Sequence, residues 1–277
     1  MITHSADVEK NFEQYPRKRL CSVPFDSLPN DDVLSAIRER DAGLPFQYVV
    51  TPNADHVVRL NERDAPYRAI YEEAWISLCD SWYLNLFARM SDLDLTYFPG
   101  SNLVAELFGS VLAPGNTISV IGGGPRMIER LRARYPHVTI NVHVPPMGFI
   151  GNPDAVARCV DFVAEHPARF VFLAVGSPQQ EILAYRIRRS GRATGLGFCV
   201  GASLLFLTGL QARAPIWMQR RGLEWVHRLA KDPGRMWKRY LVTDLQIVWL
   251  FARWYLSPAR TEALLMPSRG RVPKRPA

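Results

Sequence analysis

The sequence predicts an α/β fold: a parallel sheet covered by helices on both faces, with a helical appendage towards the C-terminal end. Three observations predict it. From about residue 46 to residue 200, apolar runs of strand length alternate with amphipathic runs of helix length. The strand runs are apolar throughout rather than at every second position, as strands buried on both faces must be. Glycine-rich turns, Gly122-Gly123-Gly124-Pro125 and Gly176-Ser177-Pro178, stand where a strand passes into a helix.

Residues 1–20 mix acidic and basic groups, lack an apolar core and carry no evident N-terminal signal, so a flexible lead-in is expected. A short helix is expected over 31–40, with Asp31 and Asp32 at its start and Val33, Leu34 and Ile37 as its apolar stripe. Residues 46–50 are a β-rich run that stops at Thr51-Pro52-Asn53. A helical pattern over 65–73 and a short strand over 75–78 lead to Cys79-Asp80, and 102–112 reads as a further helix. The clearest alternation follows: strands over 117–121, 138–144, 169–175 and 194–200, separated by helices over 126–135, 155–165 and 179–189. The core is therefore placed at residues 21–210.

Past residue 210 the pattern is helical only. Pro215 suits a first helical turn, and Asp232-Pro233 suits the cap and first position of a helix, ending the previous one near Lys231. Five of the seven tryptophans (217, 225, 237, 249, 254) lie here. Residues 241–256 are apolar but carry Asp244, Gln246 and Arg253, and they are shorter than the roughly 20 residues of a membrane span. An amphipathic helix is expected, with the core, a partner subunit or lipid as its packing surface. Residues 211–258 thus make a basic, tryptophan-rich appendage, and 259–277 a proline-rich, basic tail expected to be disordered.

The chain has 277 residues, 48% hydrophobic and 22% charged, which fits one large globular unit with an appendage. Its four cysteines (21, 79, 159, 199) stand far apart with no CxxC pair. That argues against a disulfide framework or a zinc site and suits a reducing cytoplasm. The formal net charge is +8, and residues 211–240 hold eight Lys/Arg against two acidic groups. Such a patch suits an anionic partner (phosphate, anionic lipid or nucleic acid), or is simply a solvated helix face.

In a sheet of this kind ligands bind beyond the carboxyl ends of the strands. Thr51 and Asn53 stand at such an end; their hydroxyl and amide suit a sugar or a ribose, and both residue types also cap helices. Asp80 stands at the next, where a carboxylate beside apolar residues suits a general base, or again a helix cap. Gly122 and Gly123 allow close approach to a phosphate at a helix N-terminus, or serve as a plain turn. Their spacing is not GxGxxG, and no convincing acidic partner for a nicotinamide ribose follows the next strand. In the second turn, Gln180 and Glu181 fall in the first helical turn and face the same crevice; a glutamate there also suits the helix dipole. Asp92-Leu93-Asp94 has the DxD spacing of many sugar-nucleotide enzymes, a match frequent by chance, and no metal site is expected.

The most distinctive stretch runs from Gly209 to Tyr240, with Ala214-Pro215-Ile216-Trp217-Met218, Gly222-Leu223-Glu224-Trp225 and Arg239-Tyr240. Together with Gly176-Ser177-Pro178-Gln179-Gln180-Glu181 it resembles the WecG/TagA/CpsF family of bacterial glycosyltransferases. Thr51-Pro52-Asn53, Pro99-Gly100-Ser101-Asn102 and Gly122-Gly123-Gly124-Pro125 agree with the resemblance, which covers most of the chain. It implies a Rossmann-like core and an inverting transfer without metal or other cofactor. The donor would be a nucleoside-diphosphate sugar, UDP ahead of other bases, and the acceptor a polyprenyl-pyrophosphate-linked glycan of the cell envelope, such as an exopolysaccharide precursor. By the same resemblance Asp80 matches the catalytic base. Thr51, Asn53, Arg89, Asn102, Gly122, Gly123, Gly176, Pro178, Gln180 and Glu181 fall on the donor side. Arg213, Arg221, Arg228, Arg235 and Arg239 fall where they would meet a diphosphate, the acceptor's pyrophosphate or the membrane. Three runs depart from the family pattern, one of them Val144-Pro145-Pro146-Met147-Gly148-Phe149, a proline-rich version of a loop that is often more polar. The family's usual Pro-Asp-Gly is Cys79-Asp80-Ser81-Trp82 here, and its Gly-Gly-Ser-Phe-Asp type run is Gly201-Ala202-Ser203-Leu204-Leu205-Phe206.

The expectation is a glycosyltransferase bound peripherally to the inner face of the cytoplasmic membrane, with a homo-oligomer left open. A nucleic-acid-binding module and a nicotinamide-dependent oxidoreductase are the alternatives. The tryptophan spacing follows helix punctuation rather than a stacking array, so no nucleic-acid partner is expected, and the missing GxGxxG speaks against the oxidoreductase.

Overall fold

The structure is a computed structural model that describes residues 15, 17–62, 66–231, 233, 234 and 244–265. Among the described residues eight strands occur: β1 (Arg17–Leu20), β2 (Val23–Asp26), β3 (Gln47–Val50), β4 (Ile76–Ser77), β5 (Thr117–Gly122), β6 (Thr139–His143), β7 (Phe170–Ala174) and β8 (Leu196–Cys199). The last six form one parallel sheet in the order β4-β3-β8-β7-β5-β6. Register pairs such as Val49↔Phe198 and Ile121↔Leu173 hold its centre.

Both faces of this sheet are apolar, and the pleat explains why. Tyr48, Val50, Ile121, Val171 and Leu173 point into one core, while Val49, Ile118, Val120, Phe170 and Phe172 point into the other. Alternate residues of each strand thus need hydrophobic partners on opposite sides, which makes the runs continuously apolar. The helices Ala54–Glu62, Pro153–Glu165 and Gln179–Ser190 cover the first face. Asn30–Glu39, Gly100–Glu106 and Pro125–Arg134 cover the second. The expected α/β architecture is present.

Two helices absent from the expected order, Ala54–Glu62 and Trp82–Met90, follow β3 and β4. Two segments near the ends of the described residues form elements where none was expected. Residues 17–20, placed in a flexible lead-in, form a hairpin with β2 that turns through Cys21 and Ser22, both at positive φ. Leu20, Val23 and Phe25 are buried, and Arg17 makes a two-pronged bond to buried Asp26 at 2.9 and 2.7 Å. Asp26 also accepts the Ser77 backbone N–H at 2.8 Å, which ties the hairpin to the sheet edge. Four-residue strands rich in charge gave no periodic signal. At the other end, where disorder was expected from residue 259, Pro258–Leu265 is a helix. Arg260 pairs with Asp92 at 2.9 Å and lies over the Tyr255 ring at 4.3 Å.

The apolar segment near 241–256 is described as the helix Asp244–Tyr255. Ile247, Leu250, Phe251 and Trp254, at helical spacing, are buried on the core, and Phe251 stacks on Phe87 with centroids 4.3 Å apart. Of the three surfaces considered for it, the core takes one face; Val248 and Trp249 on the other face are exposed. Among the described residues no helix is long and apolar enough to cross a membrane.

All four cysteines are buried free thiols. Burial pushes Cys21 and Cys79 up to about 12 and Cys159 up to about 11, and raises Cys199 well above its ordinary value. A thiol reagent at pH 8 should therefore find none of them reactive in the native protein and all four after denaturation. Rapid labelling of the native chain would contradict this packing.

Candidate active site

The strands β3 and β8 lie side by side, but the chain leaves them in opposite directions. After β3 it enters the helix Ala54–Glu62 on one face; after β8 it enters Ser203–Leu207 on the other. Loops that part in this way leave a crevice at the carboxyl ends of the strands. Here the crevice is a polar cleft of about 220 Å³. Thr51, Asn53, Asp55 and His56 line it from the β3 side and Asp80 from the β4 side. Ser177 and Gln180 come from the turn after β7, and Gly201 to Ser203 from the loop after β8.

Local hydrogen bonds set each of these groups. The Thr51 hydroxyl donates to the Cys199 carbonyl at 3.2 Å, joining the ends of β3 and β8. Asn53 caps the following helix: its Oδ1 accepts the His56 N–H at 3.4 Å, and its own N–H donates to His56 Nδ1 at 3.0 Å. This is the reciprocal geometry of a capping box, with histidine in the place of glutamate. Because Nδ1 accepts, the neutral ring carries its proton on Nε2. That atom lies 3.6 Å from the Glu181 carboxylate. Glu181 is buried behind Gln180 and accepts from Gln180 Nε2 at 2.7 Å. Burial alone would raise the Glu181 carboxyl, but the adjoining His56 ring and the bond from Gln180 outweigh it and hold it below the ordinary glutamate value. Glu181 is thus ionised at neutral pH. Its ionisation stabilises the fold above the unfolded carboxylate range, and that contribution is lost as pH falls through the depressed native value.

Asp80 is half-buried, and its backbone N–H donates to the Pro52 carbonyl at 3.1 Å, which sets β4's end beside β3's. The cap of the helix Trp82–Met90 is not Asp80 but Ser81, whose side chain accepts from the Leu84 N–H. Tyr97 sits close by, through the bridge Cys79↔Tyr97. Its phenol is raised first by burial, then by the charges of Asp80 and Glu224, with Arg213 opposing. The appendage therefore reaches this side of the cleft. Arg213 donates to Asn102 at 2.6 Å, next to cleft-lining Ser101. Gly222, at φ 71°, packs so tightly on Trp82 that a Cβ there would lie 2.5 Å from the indole. The bulky residue after Asp80 is thus the surface on which the appendage rests.

Compared with known families, residues 18–261 match the glycosyl transferase WecG/TagA/CpsF family. The chain belongs to that family. It is a glycosyltransferase of cell-envelope glycan synthesis. Membership decides between the reaction classes the residues alone left open, against the oxidoreductase.

For this WecG/TagA/CpsF member the cleft brings together Thr51, Asn53, Asp80 and Gln180, with Asn102 beside Ser101. Other expected donor-side residues lie elsewhere. Arg89 is exposed in the last turn of its helix and does not line the cleft. Gly122 and Gly123 have positive φ, but a Cβ on Gly122 would meet the Ala174 carbonyl at 2.7 Å, so close strand packing requires this glycine. Gly176 and Pro178 form the turn that carries Ser177, with a cis Ser177–Pro178 bond. Glu181 faces Gln180 and His56 rather than the cleft. Arg221 lies over the exposed Trp217 ring at 5.9 Å. Arg235 and Arg239 lie outside the described residues, as does the side chain of Arg228. Asp92, of the DxD match, is paired with Arg260. Among the described residues no group of three His, Cys, Asp or Glu is placed to hold a metal.

Sequence reasoning passed over His56, Ser177, Ser203 and Arg59. Arg59 pairs with Asp55 and donates to Ser177 at 3.1 Å, so a guanidinium stands at the cleft rim. Only His56 had a readable signal, its place three residues after a capping asparagine.

A side chain at Gly222 should lift the appendage off Trp82. Gly222→Val should leave the core folded, by far-UV circular dichroism, yet expose the segment around 211–223 to limited proteolysis at least several-fold faster. Unchanged cleavage would refute the contact.

Proposed function

We propose that the chain is an inverting glycosyltransferase that moves a sugar from a UDP-linked donor to a polyprenyl-pyrophosphate-linked acceptor, with Asp80 as the base. The observation that carries the reading is the meeting of Asp80, Thr51 and Gln180 in one polar cleft. Asp80 takes the proton of the acceptor hydroxyl as that oxygen attacks the anomeric carbon. The bond from that carbon to the diphosphate oxygen breaks on the opposite face, and the nucleoside diphosphate leaves with the electron pair. Thr51 and Asn53 offer polar contacts to the sugar, and Arg213 and Arg59 offer positive charge to the departing diphosphate. Positive charge supplied by side chains lets the reaction proceed without a metal.

Removal of the base gives the direct test. Asp80→Asn should fold and bind UDP, by thermal shift, yet lose transfer by about 10²-fold or more. Full activity in that variant would refute the assignment. In the wild type, UDP should raise the melting temperature equally in magnesium and in EDTA; a shift that needs magnesium would defeat the metal-independent reading.

The same reading places the protein on the inner face of the cytoplasmic membrane, where a polyprenyl carrier presents its pyrophosphate. Its support is a set of exposed apolar groups beside cations. Ile216, Trp217, Val248 and Trp249 are 52–67% exposed, Arg221 lies over Trp217, and Arg253 lies over Trp249 at 4.9 Å. Aromatic rings suit the lipid interface and arginines suit anionic headgroups. The protein should sediment with vesicles containing anionic lipid, and a Trp217→Ser/Trp249→Ser double variant should bind several-fold more weakly. Indifference of the wild type to such vesicles would rule the placement out.

A further inference from the structure

Along the cleft wall, five groups form one polar row across three segments of the chain. The Asn53 N–H donates to His56 Nδ1, and His56 Nε2 faces Glu181 Oε1 at 3.6 Å. Gln180 Nε2 donates to that same Oε1 at 2.7 Å, and Gln180 Oε1 accepts the Gly201 N–H at 2.9 Å. The row starts in the loop after β3, passes through the helix after β7 and ends in the loop after β8. His56, Gln180 and Glu181 are each at most 7% exposed.

The two ends of the Gln180 amide meet partners of opposite kind. A backbone N–H can only donate, so the amide oxygen must face Gly201. An ionised carboxylate can only accept, so the amide nitrogen must face Glu181. Reversing the amide would set donor against donor and acceptor against acceptor in a buried site, at the cost of two hydrogen bonds. The nitrogen carries a second hydrogen, and Gln180 lines the cleft.

We infer that Glu181, which faces His56, is a positioning residue that locks Gln180 as a hydrogen-bond donor towards an oxygen of the cleft's ligand. This rests on reading the cleft as the site of sugar transfer. Glu181 then touches no substrate; it acts through Gln180. The ligand atom at Gln180 is an acceptor oxygen, whether of a sugar hydroxyl or a phosphoryl group.

The test is a double-mutant cycle on the full chain with a UDP-sugar donor, each variant checked for folding by thermal melting. Gln180→Ala and Glu181→Met should each lower kcat at least about 10-fold, and the double variant should be no slower than Gln180→Ala alone. Glu181→Gln, whose amide oxygen still accepts, should recover most of the activity. Effects that multiply in the double variant, or a Glu181→Met enzyme with wild-type kcat, would overturn the inference. Should Glu181→Met not fold, the side-chain amide signals of Gln180 in wild-type protein decide it by NMR. One proton should be protected from exchange without ligand, and the other should shift on adding UDP-sugar. Two freely exchanging protons would overturn the lock. A wild type that transfers no sugar would instead defeat the functional reading, while the exchange measurement still tests the lock.

Discussion

The parallel pairing of β3 with β8 is the constraint on which the site depends. Those strands are far apart in sequence, and Val49↔Phe198 and Val50↔Cys199 bring them together. Their following segments then depart to opposite faces, and the Thr51 hydroxyl on the Cys199 carbonyl fixes the ends where they part. A polar cleft opens there because backbone groups at strand ends have no further strand to bond, and polar side chains gather to meet them. β4 adds Asp80 on one side and the turn after β7 adds Gln180 on the other. Function in this fold is a matter of which loops meet, and the hydrophobic sheet beneath decides that.

The appendage is joined to this cleft through a few specific contacts. Trp82 follows Asp80 by two residues, and Gly222 rests on it. Arg213 bonds Asn102, and the charges of Glu224 and Arg213 act on Tyr97 beside Asp80. A segment that shows Ile216 and Trp217 to solvent thus also contacts residues next to the cleft, Trp82 and Asn102.

Buried polar groups divide this protein into parts that only hold and parts that also aim. Arg17 with Asp26 holds a hairpin on the sheet edge, with both charges satisfied. The His56–Glu181–Gln180 row is different, because one end of it reaches the cleft surface. Desolvating a carboxylate is costly, and here hydrogen bonds and a histidine offset that cost. Bonds at both ends of the Gln180 amide restrain it, which suits a group that must present one particular atom.

Sequence alone determined the α/β class, since continuous apolar strands between amphipathic helices admit few other architectures. It also marked Thr51, Asn53, Asp80 and Gln180 as strand-end residues, because the position of a strand end is a local property. The family pattern likewise lies in linear order. What only tertiary structure decided is which strand ends are neighbours. No local signal says that β3 lies against β8, or that His56 from the helix after β3 meets Glu181 from the helix after β7. The same limit explains why two expected residues do not line the cleft. Arg89 follows Asp80 closely in sequence but is carried away by the helix between them. Glu181 adjoins Gln180 yet faces inward, because successive residues on a helix point some 100° apart. The terminal elements Arg17–Leu20 and Pro258–Leu265 were missed because long-range contacts hold them, through Asp26 and Asp92, and such contacts leave no periodic trace in the chain.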